Sequence, residues 1–288
     1  VRFFRIGQAI DADAMTDLIW RYGLPSSVVL VLAAAFALCL PWLVPKALGA
    51  RRARMPVHPV LADGLTVQCQ RAGVAPPRVY LLNSDSPNLM LVGGLWGRSA
   101  MVVTTGVLRL LPDAQLSALL ASQLARMGPL SCLMTSLWVG LTGILLLPAH
   151  LLDALSLLVS DAQAELTEKT IVWQLLWIVL GLPAIVWLVL FPWFWWVWRA
   201  DVVAVNLDPQ VNCAFDLAQA LETVDRYAGS IPLEQAFRFP EFAAFFTVTP
   251  FREIAWLRPF SVQAATPGRV RRLLDLARQK ESNAPKQD

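Results

Sequence analysis

Gln115-Leu116-Ser117-Ala118-Leu119-Leu120-Ala121-Ser122-Gln123-Leu124-Ala125-Arg126 is the stretch on which the fold turns. Leu116, Leu119, Leu120 and Leu124 recur at helical spacing and fall on one face, which predicts a helix over 113–127 with that face buried. Directly after it the chain changes character. From Met127 to Leu152 there is no Asp, Glu, Lys or Arg. That run is long enough to cross a bilayer, which takes about 20 apolar residues. An amphipathic helix therefore feeds straight into an apolar one.

Working outward, 23–45 and 170–198 are also free of those charges. With 56% hydrophobic and 16% charged residues in 288, the chain is more apolar than a soluble core of this size requires. The expectation is an α+β membrane protein with three transmembrane helices, at 23–45, 129–152 and 170–198. A cleaved signal peptide fits the first span poorly, because Arg2, Arg5, Asp11, Asp13, Asp17 and Arg21 are scattered through the segment before it. Arg51, Arg52 and Arg54 follow that span, whereas the loop 153–169 carries Asp153, Asp161, Glu165 and Glu168. The positive-inside rule then places 46–128 and 199–280 in the cytoplasm and 153–169 outside. Residues 1–22 are expected to be extracytoplasmic or interfacial, and 281–288 a disordered tail. The location implied is the cytoplasmic (inner) membrane of a bacterium.

The cytoplasmic segments read as one domain with a small sheet. Val60–Gly73 is expected to be a helix, with strands at 78–82, 88–95 and 100–104 and further helices at 215–227 and 268–280. A net charge of +3 without a basic, aromatic-interleaved stripe argues against nucleic acid. Cys39, Cys69, Cys132 and Cys213 show no Cys-x-x-Cys spacing and read as packing residues. Gly93-Gly94 and Gly97 do not follow a phosphate-loop pattern, and lone carboxylates such as Asp201 and Asp225 read as helix-surface residues. Trp193, Trp195, Trp196 and Trp198 close the third span before Arg199. They read either as an interfacial belt or as a docking surface for a membrane partner, lipid or pigment.

Pro77-Arg78-Val79-Tyr80-Leu81, Ser86-Pro87-Asn88 and Val102-Val103-Thr104-Thr105-Gly106-Val107-Leu108 follow in an order and spacing that resembles HtpX-type membrane zinc metallopeptidases, relatives of the CaaX prenyl protease. In that family the next helix reads Glu-Leu-x-Ala-Val-Leu-Ala-His-Glu-Leu-Ala-His, whose apolar frame 115–126 matches. Two spans and a Glu-x-x-Ala-Asp helix come next, and Val197-Trp198-Arg199-Ala200-Asp201 matches the last two residues of that motif. Thr266-Pro267-Gly268-Arg269-Val270-Arg271-Arg272-Leu273 resembles the stretch before the closing helix. The resemblance covers roughly 55–275 and implies a gluzincin-type domain. Bacterial members usually have two spans before it, whereas one is read here.

The resemblance also implies what the site residues should be, and this chain departs from them. Two His at i and i+4 bind zinc, the Glu between them is the base, and a later Glu is the third ligand. Here those positions hold Ser122, Arg126, Gln123 and Val197. A serine hydroxyl is a poor zinc ligand, a guanidinium stays protonated, glutamine is no base and valine has no donor. The remaining histidines, His58 and His150, lie outside the motif.

The expectation is a catalytically inactive pseudopeptidase, with no metal or cofactor, that scaffolds, assembles or regulates another membrane protein or complex. The alternatives are an active hydrolase with non-standard residues, or a lipid or pigment chaperone using the Trp-rich span. The strand residues Asn88, Leu89, Met90 and Leu91 are read either as an edge that holds a peptide or as a strand buried in its own domain. Arg126 is expected either to pair with Asp201, pinning two helices where zinc once did, or to point to the headgroups.

Overall fold

The computed structural model describes residues 24–53, 61, 64–93, 99–127, 129–159, 213–231, 233–250 and 266–283, with 179, 201, 203 and 205. Of the expected features, the N-terminal segment, His58, the 153–169 loop from 160 on, the Trp cluster and Val197 lie outside these residues. Helix α1 spans Leu24–Ala47, strand β1 Arg51–Arg52, α2 Leu65–Ala72, β2 Arg78–Leu82, β3 Leu89–Val92 and β4 Ala100–Thr104. Then come α3 (Thr105–Leu110), α4 (Asp113–Leu124), a 3-10 turn (Ala125–Met127) and the long α5 (Pro129–Val159). Helices α6 (Cys213–Ser230), α7 (Glu234–Phe237) and α8 (Thr266–Asn283) follow, with a 3-10 segment at Pro240–Phe245.

The architecture is α+β, with a four-stranded sheet in the order β1-β2-β4-β3. Strand β2 runs parallel to β4, while β1 and β3 are antiparallel to their neighbours. Side chains alternate across a strand, and both faces of this sheet are covered. Leu82, Met90, Val92, Ala100 and Val102 pack with Leu40 and Val44 of α1, Trp138 and Val139 of α5, and Phe242, Phe245 and Phe246. Leu89, Leu91, Met101 and Val103 face the other way, onto Leu116, Leu119, Leu120 and Leu124 of α4 and Leu217 and Leu221 of α6. The leucine face of the opening stretch is thus the core of the second layer. Each such side chain contributes roughly 1.5–3 kcal/mol when fully buried.

Helices form where the first two spans are expected. Among the described residues, however, no helix is long and apolar enough to cross a membrane. Several side chains of α1 and α5 fall outside that description. The closing helix runs to Asn283, past the start of the tail expected at 281. The strand expected at 88–95 is shorter, since Gly93 closes directly on α5: a Cβ there would lie 2.2 Å from Cys132 Sγ.

Gly106 marks a second close approach. Its N–H donates to Ser84 O at 2.8 Å, and a Cβ would sit 2.2 Å from the backbone oxygen of Asp85. The turn 83–86 is clasped to the start of α3, with Thr105 Oγ1 donating to Ser84 O and accepting from Ser84 N. Gly106→Ala is expected to destabilise the protein by about 1–3 kcal/mol, since backbone cannot yield as a flexible side chain can. Thermal unfolding of the detergent-solubilised chain checks this, and an unchanged midpoint would refute the clasp.

Candidate functional site

The C-terminal half of α4 enters the core with Ser122 and Gln123 fully buried. Ser122 Oγ donates to Asp201 Oδ1 at 2.8 Å. Asp201 is 0% exposed, and the 1% exposed Arg269 of α8 grips it side-on, Nε to Oδ2 at 2.7 Å and Nη2 to Oδ1 at 2.9 Å. The third nitrogen, Nη1, donates to Thr247 O at 2.8 Å. Thr247 in turn accepts from Gln123 Nε2 at 2.7 Å and donates through Oγ1 to Leu89 O at 2.8 Å. One polar network therefore joins the motif helix, the residue-201 segment, α8, the 247 segment and β3. Buried charges persist only when paired and hydrogen-bonded, and Asp201 and Arg269 are both.

Several expectations are corrected by this geometry. Asp201 is a core residue, not a surface one. The ion pair expected between Arg126 and Asp201 is made by Arg269 instead, whose planar fork takes both carboxylate oxygens. Arg126 sits in the 3-10 turn, with Nε and Nη2 buried and without a hydrogen-bond partner. Burial pushes its guanidinium down to about 10; Arg269 pushes the same way and Asp201 opposes. Asp225 is the acceptor for Thr266 Oγ1 at the start of α8, at 3.0 Å.

Strand residues Asn88, Leu89, Met90 and Leu91 are all buried. Their edge is taken by the same chain: Met90 bridges Phe246, Thr247 N donates to Leu89 O at 2.8 Å, and Asn88 Nδ2 donates to Val248 O at 2.8 Å. An edge left open for a peptide at Leu89 and Met90 is therefore not what the fold provides. Sequence reasoning missed Arg269 and Thr247. Arg269 lay in a stretch marked by its resemblance, but nothing in that stretch says which cation turns inward. Thr247 had no signal at all.

The zinc that the resemblance implies does not fit these residues. Ser122 has its proton committed to Asp201, both Asp201 oxygens are engaged, and Arg126 brings a positive charge to a ligand position. Among the described residues, no group of three or more His, Cys, Asp or Glu could hold a metal. His150 is engaged elsewhere, its Nε2 3.3 Å from Glu241 Oε1.

The chain is 28% identical over 260 residues to the Protease HtpX homolog of Acidiphilium cryptum, covering 88% of each. The chain resembles HtpX-type proteins along most of its length. It is also 28% identical to the homolog of Methylibium petroleiphilum over 73% of this chain and 72% of the relative. With that of Paraburkholderia phytofirmans, identity is 26% over 72% and 70%. No protein-family model and no solved structure matches. These relatives overturn the expectation that the chain is no enzyme. They are named as proteases and match across most of it, and so point to a peptidase family. Losing the ligands of one mechanism speaks about that mechanism and not about the family.

Arg269→Ala and Asp201→Ala are each expected to cost about 3–5 kcal/mol, because each leaves a buried charge unpaired. The double variant should lose much less than the sum. Thermal or denaturant unfolding of the four proteins checks the cycle, and additivity would refute the pair.

Proposed function

We propose that this chain is a multi-pass inner-membrane protein of HtpX type that holds a segment of another membrane protein on its peptidase-like frame, as a scaffold, assembly or regulatory subunit. The observation that carries this reading is the network of Ser122, Gln123, Asp201, Thr247 and Arg269. It keeps the frame assembled with side chains alone, so the frame is preserved as a surface for polypeptide. In a protease family the held segment is a client or a substrate, and the two are separable by assay.

Membrane placement is supported by what α1 and α5 leave uncovered. Val31 and Trp42 of α1 are 67% and 61% exposed, and Leu38, Leu147 and Leu151 are exposed as well. Large apolar side chains repeated along two helices are a liability in water and suit lipid or a partner helix. The helices are about 36 and 46 Å long at 1.5 Å per residue, against a hydrocarbon core of about 30 Å. Lys46 Nζ lies 4.9 Å from the Trp42 ring centroid, a pairing suited to the headgroup level. The arginines after α1 favour a cytoplasmic sheet domain.

Purification of the tagged full chain in mild detergent is expected to retain a membrane protein at a fixed ratio through size exclusion. The same preparation is assayed against casein. Elution as an isolated chain that cleaves casein would replace the subunit reading with a free-standing hydrolase.

A further inference from the structure

The β1–β2 side of the sheet is a basic edge fixed to the end of α1. That helix stops at Ala47, and Gly49, in the left-handed region (φ 70°), turns the chain. Leu48 N donates to Val44 O, Gly49 N to Lys46 O and Ala50 N to Pro45 O, so only 48–50 separate the helix from β1. Arg51 and Arg52 follow at once, opposite Leu81 and Tyr80 of β2. Tyr80 and Leu82 belong to the layer under α1 and α5, whereas Val79 and Leu81 belong to the other. Cross-strand partners share a face, so Arg52 lies on the α1–α5 face. Alternation along β2 puts Arg78 there too, its N–H held by Ser99 O at 2.9 Å. Lys46 and these arginines are all exposed, open to a group arriving from outside. Among the described residues none of them pairs with an acid. The sequence itself has no Asp or Glu between Asp17 and Asp63.

We propose that this edge docks on anionic phospholipid, with Arg52 and Arg78 donating to headgroup phosphates and Lys46 marking the level where the acyl chains begin. The neighbouring surface of α1 selects that occupant. Leu38 and Trp42 are exposed one turn apart, and Lys46 Nζ, a further turn on, lies 4.9 Å from the Trp42 ring centroid. Apolar, then aromatic with ammonium, then guanidinium is the order of hydrocarbon, interface and headgroup phosphate across one leaflet. An acidic protein would match the arginines and leave Leu38 and Trp42 without a counterpart. Because the arginines stand on paired strands, they present fixed forks, which suit phosphate oxygens better than a point charge does. The proposal rests on the membrane placement of α1 and adds to it a lipid class and the strands that receive it.

Membranes carrying the full chain are first washed with alkaline carbonate, which should leave it in place. The chain in neutral mild detergent is then titrated with dioctanoyl phosphatidylglycerol, dioctanoyl phosphatidylcholine, glycerol phosphate or an acidic decapeptide while thermal unfolding is followed. Phosphatidylglycerol is expected to raise the midpoint saturably, at concentrations about tenfold or more below phosphatidylcholine, since each basic residue near an anionic surface adds roughly a factor of five. Salt should weaken that preference, and glycerol phosphate and the peptide should not reproduce it. The double variant Arg52→Gln/Arg78→Gln should unfold like the wild type without lipid, both side chains being exposed, and lose the preference. Arg226→Gln, exposed on α6 beside Glu222, should keep it. An equal response to the two lipids, a preference that survives in the double variant, or a stronger response to glycerol phosphate or the acidic peptide would each overturn the proposal. Release of the chain by the carbonate wash would remove the membrane placement and the proposal together, whereas retention without a lipid preference would remove the proposal alone.

Discussion

Asp201 and Arg269 meet in a place where neither has exposed surface, and the rest of the domain is arranged to keep them together. Taken from water singly, each charge would cost several kcal/mol; taken as a side-on pair with Ser122 and Thr247 completing the donors and acceptors, they satisfy one another. The pair also fixes distances. It sets α8 against the motif helix, and through Thr247 and Gln123 it sets the Phe-rich 3-10 segment against β3. In a zinc enzyme the metal draws helices together at such a point. In this chain a carboxylate and a guanidinium join Ser122 of the motif helix to α8.

How far the sequence could be read follows from where its signals are local. The leucine period of 113–127, the β-branched run 100–104 and Gly73 as a left-handed stop after α2 (φ 65°) all report on neighbours in the chain, and all are recovered in the structure. The two-residue strand β1 and helix α3 were not legible. Arg51 and Arg52 pair with Leu81 and Tyr80 far along the chain, and α3 starts from a Thr104 cap that the strand signal hides, with Val107 N on Thr104 Oγ1.

The site was legible only in its residues of origin. Ser122, Gln123 and Arg126 were found by their place in a motif, and Asp201 by its place in another. Their partners were not, because a hydrogen bond spanning 68 or 124 residues leaves no spacing to detect. The motif positions suggest Asp201 as the partner of Arg126, whereas in the fold Asp201 is taken by Arg269. The same limit applies to β3. Its apolar run signals a buried strand, but only the tertiary structure says that Phe246 and Thr247 cover its edge.

The double coverage of the sheet gives α1 and α5 two tasks. Leu40, Val44, Trp138 and Val139 turn toward the sheet, while Val31, Trp42, Leu147 and Leu151 turn outward. A helix apolar on all sides is buried or in lipid, and these two are apolar toward protein on one side and uncovered on the other. That division fits a domain seated against a bilayer through the same helices that complete its core.

Protein side chains hold the frame together at the motif helix. Elemental analysis of the purified chain, with thermal unfolding recorded before and after treatment with a chelator, tests it most directly. Far less than one zinc per chain is expected, with an unfolding midpoint that the chelator does not move. Stoichiometric zinc that survives dialysis, together with a midpoint that falls when it is removed, would contradict it.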